Sequence, residues 1–410
     1  STTSPVVVEE PTKAQIVSWF GAEVKAESTP NVETEPALVF TVCLSILASG
    51  VKIVCKFVLL VFRKLDAPSW ETTKVSKSPF LTPVVLEASA FILQVAFVPE
   101  VVLEHPEVVS QLHREFIRAG SDVVQAFTYY GHREKLRIIG KENLLESLQK
   151  NALKIAKDSR NEFKDLDLLV CGDVANTNIY DPNDKKTNIE CQKMFEEQIT
   201  WAKEAGVDFV VAETITWLEE AKIALKVIKD AGLIAVSNLS IKKGDKTRDG
   251  YTPEDACKIL EDNGADVVGL NCFRGPKMTM KLLNKIREKV SCHVAGLPVP
   301  YRTTEKEPGF LNQTDPGCDC IPGGNAFPVA LDNLYCNRFE MAEFAKECVS
   351  KKINFIGICC GASPHHVREM AVALGRKPIS YKYYPDMSKH YVHGTDKSLK
   401  KIYTDHAKEY

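Results

Sequence analysis

Ile353-Asn354-Phe355-Ile356-Gly357-Ile358-Cys359-Cys360-Gly361 is an apolar run that stops at two adjacent cysteines. A similar run, Ala265-Asp266-Val267-Val268-Gly269-Leu270-Asn271-Cys272, stops at a third. Apolar segments of this length, with little polar alternation, are the pattern of strands buried on both faces, as in parallel sheets. Five further runs of the same kind lie upstream or between them, at 122–130, 167–174, 208–215, 234–241 and 291–298. Amphipathic segments separate them, at 106–119, 141–156, 189–205, 218–231, 253–263, 280–290 and 338–349. In the first of these Val108, Leu112 and Phe116 share one stripe, and Pro253 follows Thr252 as a first-turn proline behind an N-cap.

Strands alternating with helices indicate parallel βα units and an α/β fold. The expected architecture is a (β/α)8 TIM barrel, with a first strand that is doubtful in this chain. Seven strands are legible and an eighth should precede residue 122. The stretch 86–97 offers apolar material there, but no strand that ends in a loop of small and acidic residues. Three regions are therefore expected: an atypical N-terminal region, 1–96, disordered or foreign to the fold; the barrel, 97–376; and a polar C-terminal tail, 377–410.

The 410 residues are 44% hydrophobic and 26% charged, the balance of a globular protein. A net charge of -2 leaves no footprint for nucleic acid or an anionic membrane surface. Thirteen cysteines, an odd number and too dilute for a disulfide scaffold, fit a reducing cytoplasmic compartment with free thiols. The apolar stretch 37–62 is long enough to span a bilayer, but Lys52 and Lys56 inside it weigh against a membrane span. The segment 300–331, rich in Gly, Pro and Asn, is long enough to be a lid or a substrate wall.

Barrel active sites lie at the C-terminal ends of the strands. Cys272, Cys359 and Cys360 all fall there. Neighbouring residues of a strand point to opposite sides, so Cys359 and Cys360 can reach one metal only if the strand breaks, which Gly361 permits. Three sulfurs with an open fourth position describe a catalytic zinc, whereas three buried apolar thiols would carry no chemistry. Glu213 ends another apolar strand and suits a substrate ammonium or a structural ion pair. Tyr129 and Tyr130 offer aromatic faces to an onium methyl donor, or simply pack. Cys318 and Cys320 are a rival pair with poor spacing for zinc. His365 and His366 follow Pro364 at the start of a helix.

Gly269-Leu270-Asn271-Cys272 together with Gly357-Ile358-Cys359-Cys360-Gly361 resembles the homocysteine S-methyltransferase family, and within it the betaine-using members. Matching text continues through Glu104-His105-Pro106-Glu107, 111–116, 118–121 and 125–130, so the resemblance covers roughly 99–376. It implies a (β/α)8 barrel whose three cysteines hold Zn2+, here Cys272, Cys359 and Cys360. The implied activity is methyl transfer from betaine to homocysteine, with S-methylmethionine as the alternative donor. A non-catalytic zinc-binding barrel is the alternative of a different class. Glu213 matches the glutamate that meets the homocysteine amino group, Tyr130 a tyrosine near the donor, and Asn271 would shape the loop beside the metal. The chain departs from the family in several places. No Gly-Asp-Gly-Gly-like first-strand motif precedes Val101. Phe97 stands where betaine enzymes carry tryptophan, and Thr214 where they carry tyrosine. The dimerisation extension that would support a homo-oligomer is not seen.

Overall fold

The computed structural model describes residues 38–48, 51–62, 99–242, 244–314, 324–328 and 330–406. Seven parallel strands form in chain order: β3 (Val123–Gln125), β4 (Leu169–Ala175), β5 (Phe209–Ile215), β6 (Ala235–Leu239), β7 (Val267–Asn271), β8 (His293–Leu297) and β9 (Phe355–Ile358). Each pairs with its successor, as repeated βα units demand. Every residue of β4, β6, β7 and β9 is buried, which explains their uniform apolarity.

Two more strands, β1 (Leu38–Ala48) and β2 (Val51–Phe62), extend the same sheet. They pair antiparallel with each other, and β1 runs parallel to β9 through Leu38–Phe355 and Val39–Ile356. The strand next to β9 therefore comes from the stretch whose length alone allowed a bilayer span. The other candidate for a first strand, 86–97, lies outside the described residues. Among the described residues no helix is long and apolar enough to cross a membrane.

The main helices are α1 (Pro106–Ala119), α2 (Leu145–Asn161), α3 (Lys185–Ala205), α4 (Leu218–Asp230), α5 (Pro253–Asp262), α6 (Pro276–Lys289), α7 (Arg338–Ser350) and α8 (Pro364–Ala373). Their ends follow local chemistry. Thr252 caps α5 by accepting from the Asp255 N–H, and Asn337 with Glu340 forms a capping box on α7. Val109, Leu112 and Phe116 of α1 are buried against the sheet. At the far end of the chain the Arg376 guanidinium donates to both carboxylate oxygens of Asp122, at 2.6 and 2.8 Å. This buried ion pair ties the end of α8 to the start of β3. Beyond it, short helical turns at Ile379–Tyr383 and Met387–Lys389 continue the chain, and Tyr384 donates from its hydroxyl to Glu369 of α8.

In-register partners of a parallel sheet share a face. The pairing Gln125–Cys171, Ala175–Glu213, Val211–Val236 and Asn238–Gly269 therefore puts Gln125, Asp173, Glu213, Asn238 and Asn271 on one face. All five are at least 97% buried. A row of polar groups costs free energy to bury unless it is used, and its position towards the C-terminal ends of the strands marks where the chemistry sits.

Candidate active site

β9 stops at Ile358, one residue before the paired cysteines. The Ala362 N–H donates back to the Cys359 carbonyl at 3.1 Å, and Gly361 turns the chain at φ +90°. A side chain at Gly361 would also collide with the Tyr301 ring, so this turn is closed to other residues. The break lets Cys359 and Cys360 converge instead of alternating. Cys272 follows β7 with φ +63°, and Phe273 follows with φ +62°, so this strand end is also bent sharply.

The three sulfurs lie within 4.8 Å of one another. Cys272 Sγ is 3.5 Å from Cys360 Sγ, and Cys359 Sγ is 3.9 Å from Cys360 Sγ. Tetrahedral thiolates about 2.3 Å from a zinc ion stand about 3.8 Å apart, close to the 3.5 and 3.9 Å seen here. The charge balance fits as well. Burial, followed by the neighbouring Cys272 and Cys360 sulfurs, pushes the Cys359 thiol well above its ordinary range. Three clustered thiolates need a cation to stay ionised, and a metal that binds there displaces their protons. Cys359 is buried beneath Val299, Tyr301 and Phe310, while Cys272 and Cys360 face a cleft of about 430 Å³. One side of the triad is thus sealed and the other is open to a small molecule.

Glu213 is fully buried, and its Oε2 accepts from Asn271 Nδ2 at 2.6 Å. Gln125 Nε2 reaches the other oxygen at 3.4 Å. Asn271 also accepts on Oδ1 from the Thr214 N–H at 2.8 Å, donates to the Thr214 hydroxyl at 3.0 Å, and lies 3.6 Å from Cys359 Sγ. One amide therefore links the carboxylate to the sulfur cluster. Thr214 takes φ +61°, an outlier for a β-branched residue, in the turn this amide holds.

The structure brings Cys272, Cys359, Cys360, Glu213 and Asn271 together, and Tyr130 lines the cleft beside Cys272 and Cys360. Lys135 lies between Tyr129 and Tyr130, its ammonium 5.6 Å from the centre of the Tyr130 ring and closer to Tyr129. The ammonium sits 3.5 Å from the centre of the Tyr129 ring and donates to the Tyr129 carbonyl, so this aromatic face already holds a cation. Phe97, Cys318 and Cys320 lie outside the described residues. His366 is buried; its Nε2 donates to the Cys336 carbonyl at 3.0 Å and its Nδ1 accepts from the Ser363 N–H. Phe310 and Leu311 of the long segment after β8 form part of the cleft wall.

Sequence reading missed Tyr180, Trp217, Glu220, Lys242 and Arg248, which also line the cleft. Glu220 of α4 is buried, accepts from the Thr177 N–H and hydroxyl at 2.7 and 2.6 Å, and has its carboxyl pushed up by burial. These residues come from loops after different strands and from a helix start, so no local spacing links them. The one signal was a carboxylate on the apolar stripe of α4.

A profile of the family described as Homocysteine S-methyltransferase matches residues 85–374. The chain belongs to the homocysteine S-methyltransferase family. Betaine–homocysteine S-methyltransferase 1 of Danio rerio is 34% identical over 291 residues, 70% of this chain and 70% of that protein. S-methylmethionine–homocysteine S-methyltransferase BHMT2 of Pongo abelii is 29% identical over 299 residues, 71% of this chain and 76% of that protein. The metallated form of the Escherichia coli homocysteine methyltransferase MmuM shares the fold, with a TM-score of 0.52 at 15% identity over 71% of this chain and 90% of that one.

Proposed function

We propose that this protein is a cytoplasmic, zinc-dependent enzyme that transfers a methyl group from betaine to homocysteine, giving dimethylglycine and methionine. The observation that carries the reading is the sulfur triad, spaced for one tetrahedral ion and open on one side to a cleft. Cys272, Cys359 and Cys360 hold the metal, and Zn2+ bound there supplies Lewis acidity that favours the thiolate of homocysteine over its thiol near neutral pH.

The protein's own residues do the rest. Glu213 receives the homocysteine ammonium, and Asn271 holds that carboxylate in place. Tyr130 turns an aromatic face to the onium methyl of the donor. From the sequence match alone, Phe97 is assigned to the donor side, where betaine enzymes carry tryptophan. The cleft fixes both substrates in line and excludes water. The homocysteine sulfur then forms a bond to the methyl carbon as the carbon–nitrogen bond of betaine breaks. The electron pair of that bond stays on nitrogen, which leaves as the tertiary amine of dimethylglycine.

The framework is a (β/α)8 barrel with its main body over 97–376, after an atypical 1–96 region whose β1 pairs with β9, and before the 377–410 tail. A second donor, S-methylmethionine, is favoured by the relative named for it and by Thr214 standing where betaine enzymes carry tyrosine. Purified protein with zinc, homocysteine and each donor in turn decides between them by the appearance of methionine. Formation with betaine at the higher kcat/KM supports the first reading, a higher value with S-methylmethionine supports the second, and no methionine from either refutes both.

A further inference from the structure

The cleft beside the cysteines carries positive charge that the reactions above do not use. Lys242 and Arg248 lie on the loop after β6, and both line the cleft with Cys272 and Cys360. Among the described residues neither side chain forms a direct ion pair with a carboxylate, although the Arg248 charge reaches the buried Glu220 across the cleft, whereas Lys258 on the surface holds two, Glu261 and Asp262. The two cations lie close enough to oppose each other. Burial, and next the Arg248 charge, draw the Lys242 ammonium below its ordinary range, against a smaller opposite pull from the Cys272 sulfur. An anion between them would remove that repulsion.

The loop that presents them is fixed to the catalytic turn. Arg274, buried two residues past Cys272, donates from Nε to the Ile241 carbonyl at 2.9 Å and from Nη2 to the Lys242 carbonyl. It also pairs with Asp245 at 2.6 Å. At the other end of the loop the Arg248 N–H donates to the Thr216 carbonyl at 2.8 Å. The Arg248 guanidinium lies 5.8 Å from the centre of the Trp217 ring, and that ring is 5.6 Å from Tyr180. Both cations are thus set relative to Cys272 before any ligand arrives, which lowers the ordering cost of binding.

We propose that Lys242 and Arg248 recognise the carboxylate of the methyl donor, turning its onium end towards Tyr130 and the cysteines. This rests on the methyltransferase reading above. It makes the enzyme selective for donors with an onium methyl at one end and a carboxylate at the other. The alternative source of the anion is homocysteine itself, whose ammonium goes to Glu213.

Calorimetric titration of the zinc-loaded full chain tests the assignment. Betaine and S-methylmethionine are each compared with their methyl esters, and homocysteine is titrated separately. The expected result is that a donor binds about ten-fold or more tightly than its ester, the size of a charge-assisted contact. Lys242→Met with Arg248→Met erases that preference and leaves homocysteine affinity and zinc content unchanged. The charge-keeping pair Lys242→Arg with Arg248→Lys restores the preference, which a folding defect would not allow. Equal binding of donor and ester, no binding of either donor, or a preference that survives the double substitution overturns the proposal. So does a loss confined to homocysteine, which would give the anion site to the acceptor. Methyl transfer without carboxylate preference sinks this inference alone, and carboxylate preference without methyl transfer sinks the earlier reading alone.

Discussion

Replacing Asn271 with alanine removes the side chain that holds Glu213, Thr214 and the sulfur cluster in one arrangement. The buried carboxylate of Glu213 loses its 2.6 Å donor, while Gln125 stays at 3.4 Å from the other oxygen. A hydrogen bond to a charged group contributes about 1.5–3 kcal/mol. The Thr214 N–H loses its 2.8 Å acceptor, and an unsatisfied donor costs about 1–3 kcal/mol, at the lower end here because Thr214 is half-buried. Asn271→Ala should therefore destabilise the protein by about 2.5–4 kcal/mol. Urea unfolding at fixed zinc, followed by circular dichroism, measures it, since bound metal would otherwise shift the midpoint by mass action. The decisive form is a double-mutant cycle with Glu213→Gln. If the amide–carboxylate bond carries the effect, the two substitutions are non-additive by about 1.5 kcal/mol or more, because the second removes a contact already lost. Additivity within about 0.5 kcal/mol would refute the reasoning and make Asn271 a packing residue.

Three further outcomes follow from named groups. Glu213→Gln should raise the KM for homocysteine about ten-fold or more with little change in the donor KM, the size of a lost charge-assisted contact; equal effects on both substrates would contradict it. Asp122→Asn leaves the buried Arg376 guanidinium without its carboxylate and should cost about 3–5 kcal/mol in urea unfolding while leaving zinc content intact; a change under about 1 kcal/mol would show the pair to be dispensable. Acid should destabilise the fold early. Burial, then the Arg114 charge, lowers His113 to about 3, and burial lowers His132 and His366 well below the ordinary histidine range. Below about pH 6.5 the unfolded chain takes up protons that the folded state refuses, so stability rises with pH across this window and falls as acid is added. At pH 5 His113 alone should cost about 2 kcal/mol, so a urea midpoint equal at pH 7.5 and pH 5 would contradict the assignment.

Much of the scaffold was legible because its strands are buried on both faces. Val267–Asn271 and Phe355–Ile358 stand inside the runs that announced them, and α1 begins at Pro106 and ends before Gly120 as its cap residues require. The run over 122–130 was read too long. Only Val123–Gln125 is strand, because Thr128 donates from its hydroxyl to the Asp173 carbonyl and the aromatic end becomes a turn. The stretch 37–62 was ambiguous for a physical reason: a uniformly apolar segment reads alike as helix or strand, and the pairing of β1 with β9 is a tertiary fact. The cysteines and Glu213 could be found because strand ends mark chemistry in this architecture. Lys242, Arg248 and Trp217 could not, since their meeting depends on Arg274 clamping one loop against the turn after another strand. Lys135 over Tyr129 was hidden in the same way, by a helical turn of six residues after that strand.

The central claim is that Cys272, Cys359 and Cys360 share one zinc ion. Zinc per chain, measured by atomic emission after dialysis against metal-free buffer, tests it most directly on the full chain and on Cys272→Ala, Cys359→Ala and Cys360→Ala. The account predicts one equivalent in the parent, near-complete loss in each variant, and loss of methionine formation with it. A variant that keeps a full equivalent of zinc would contradict it.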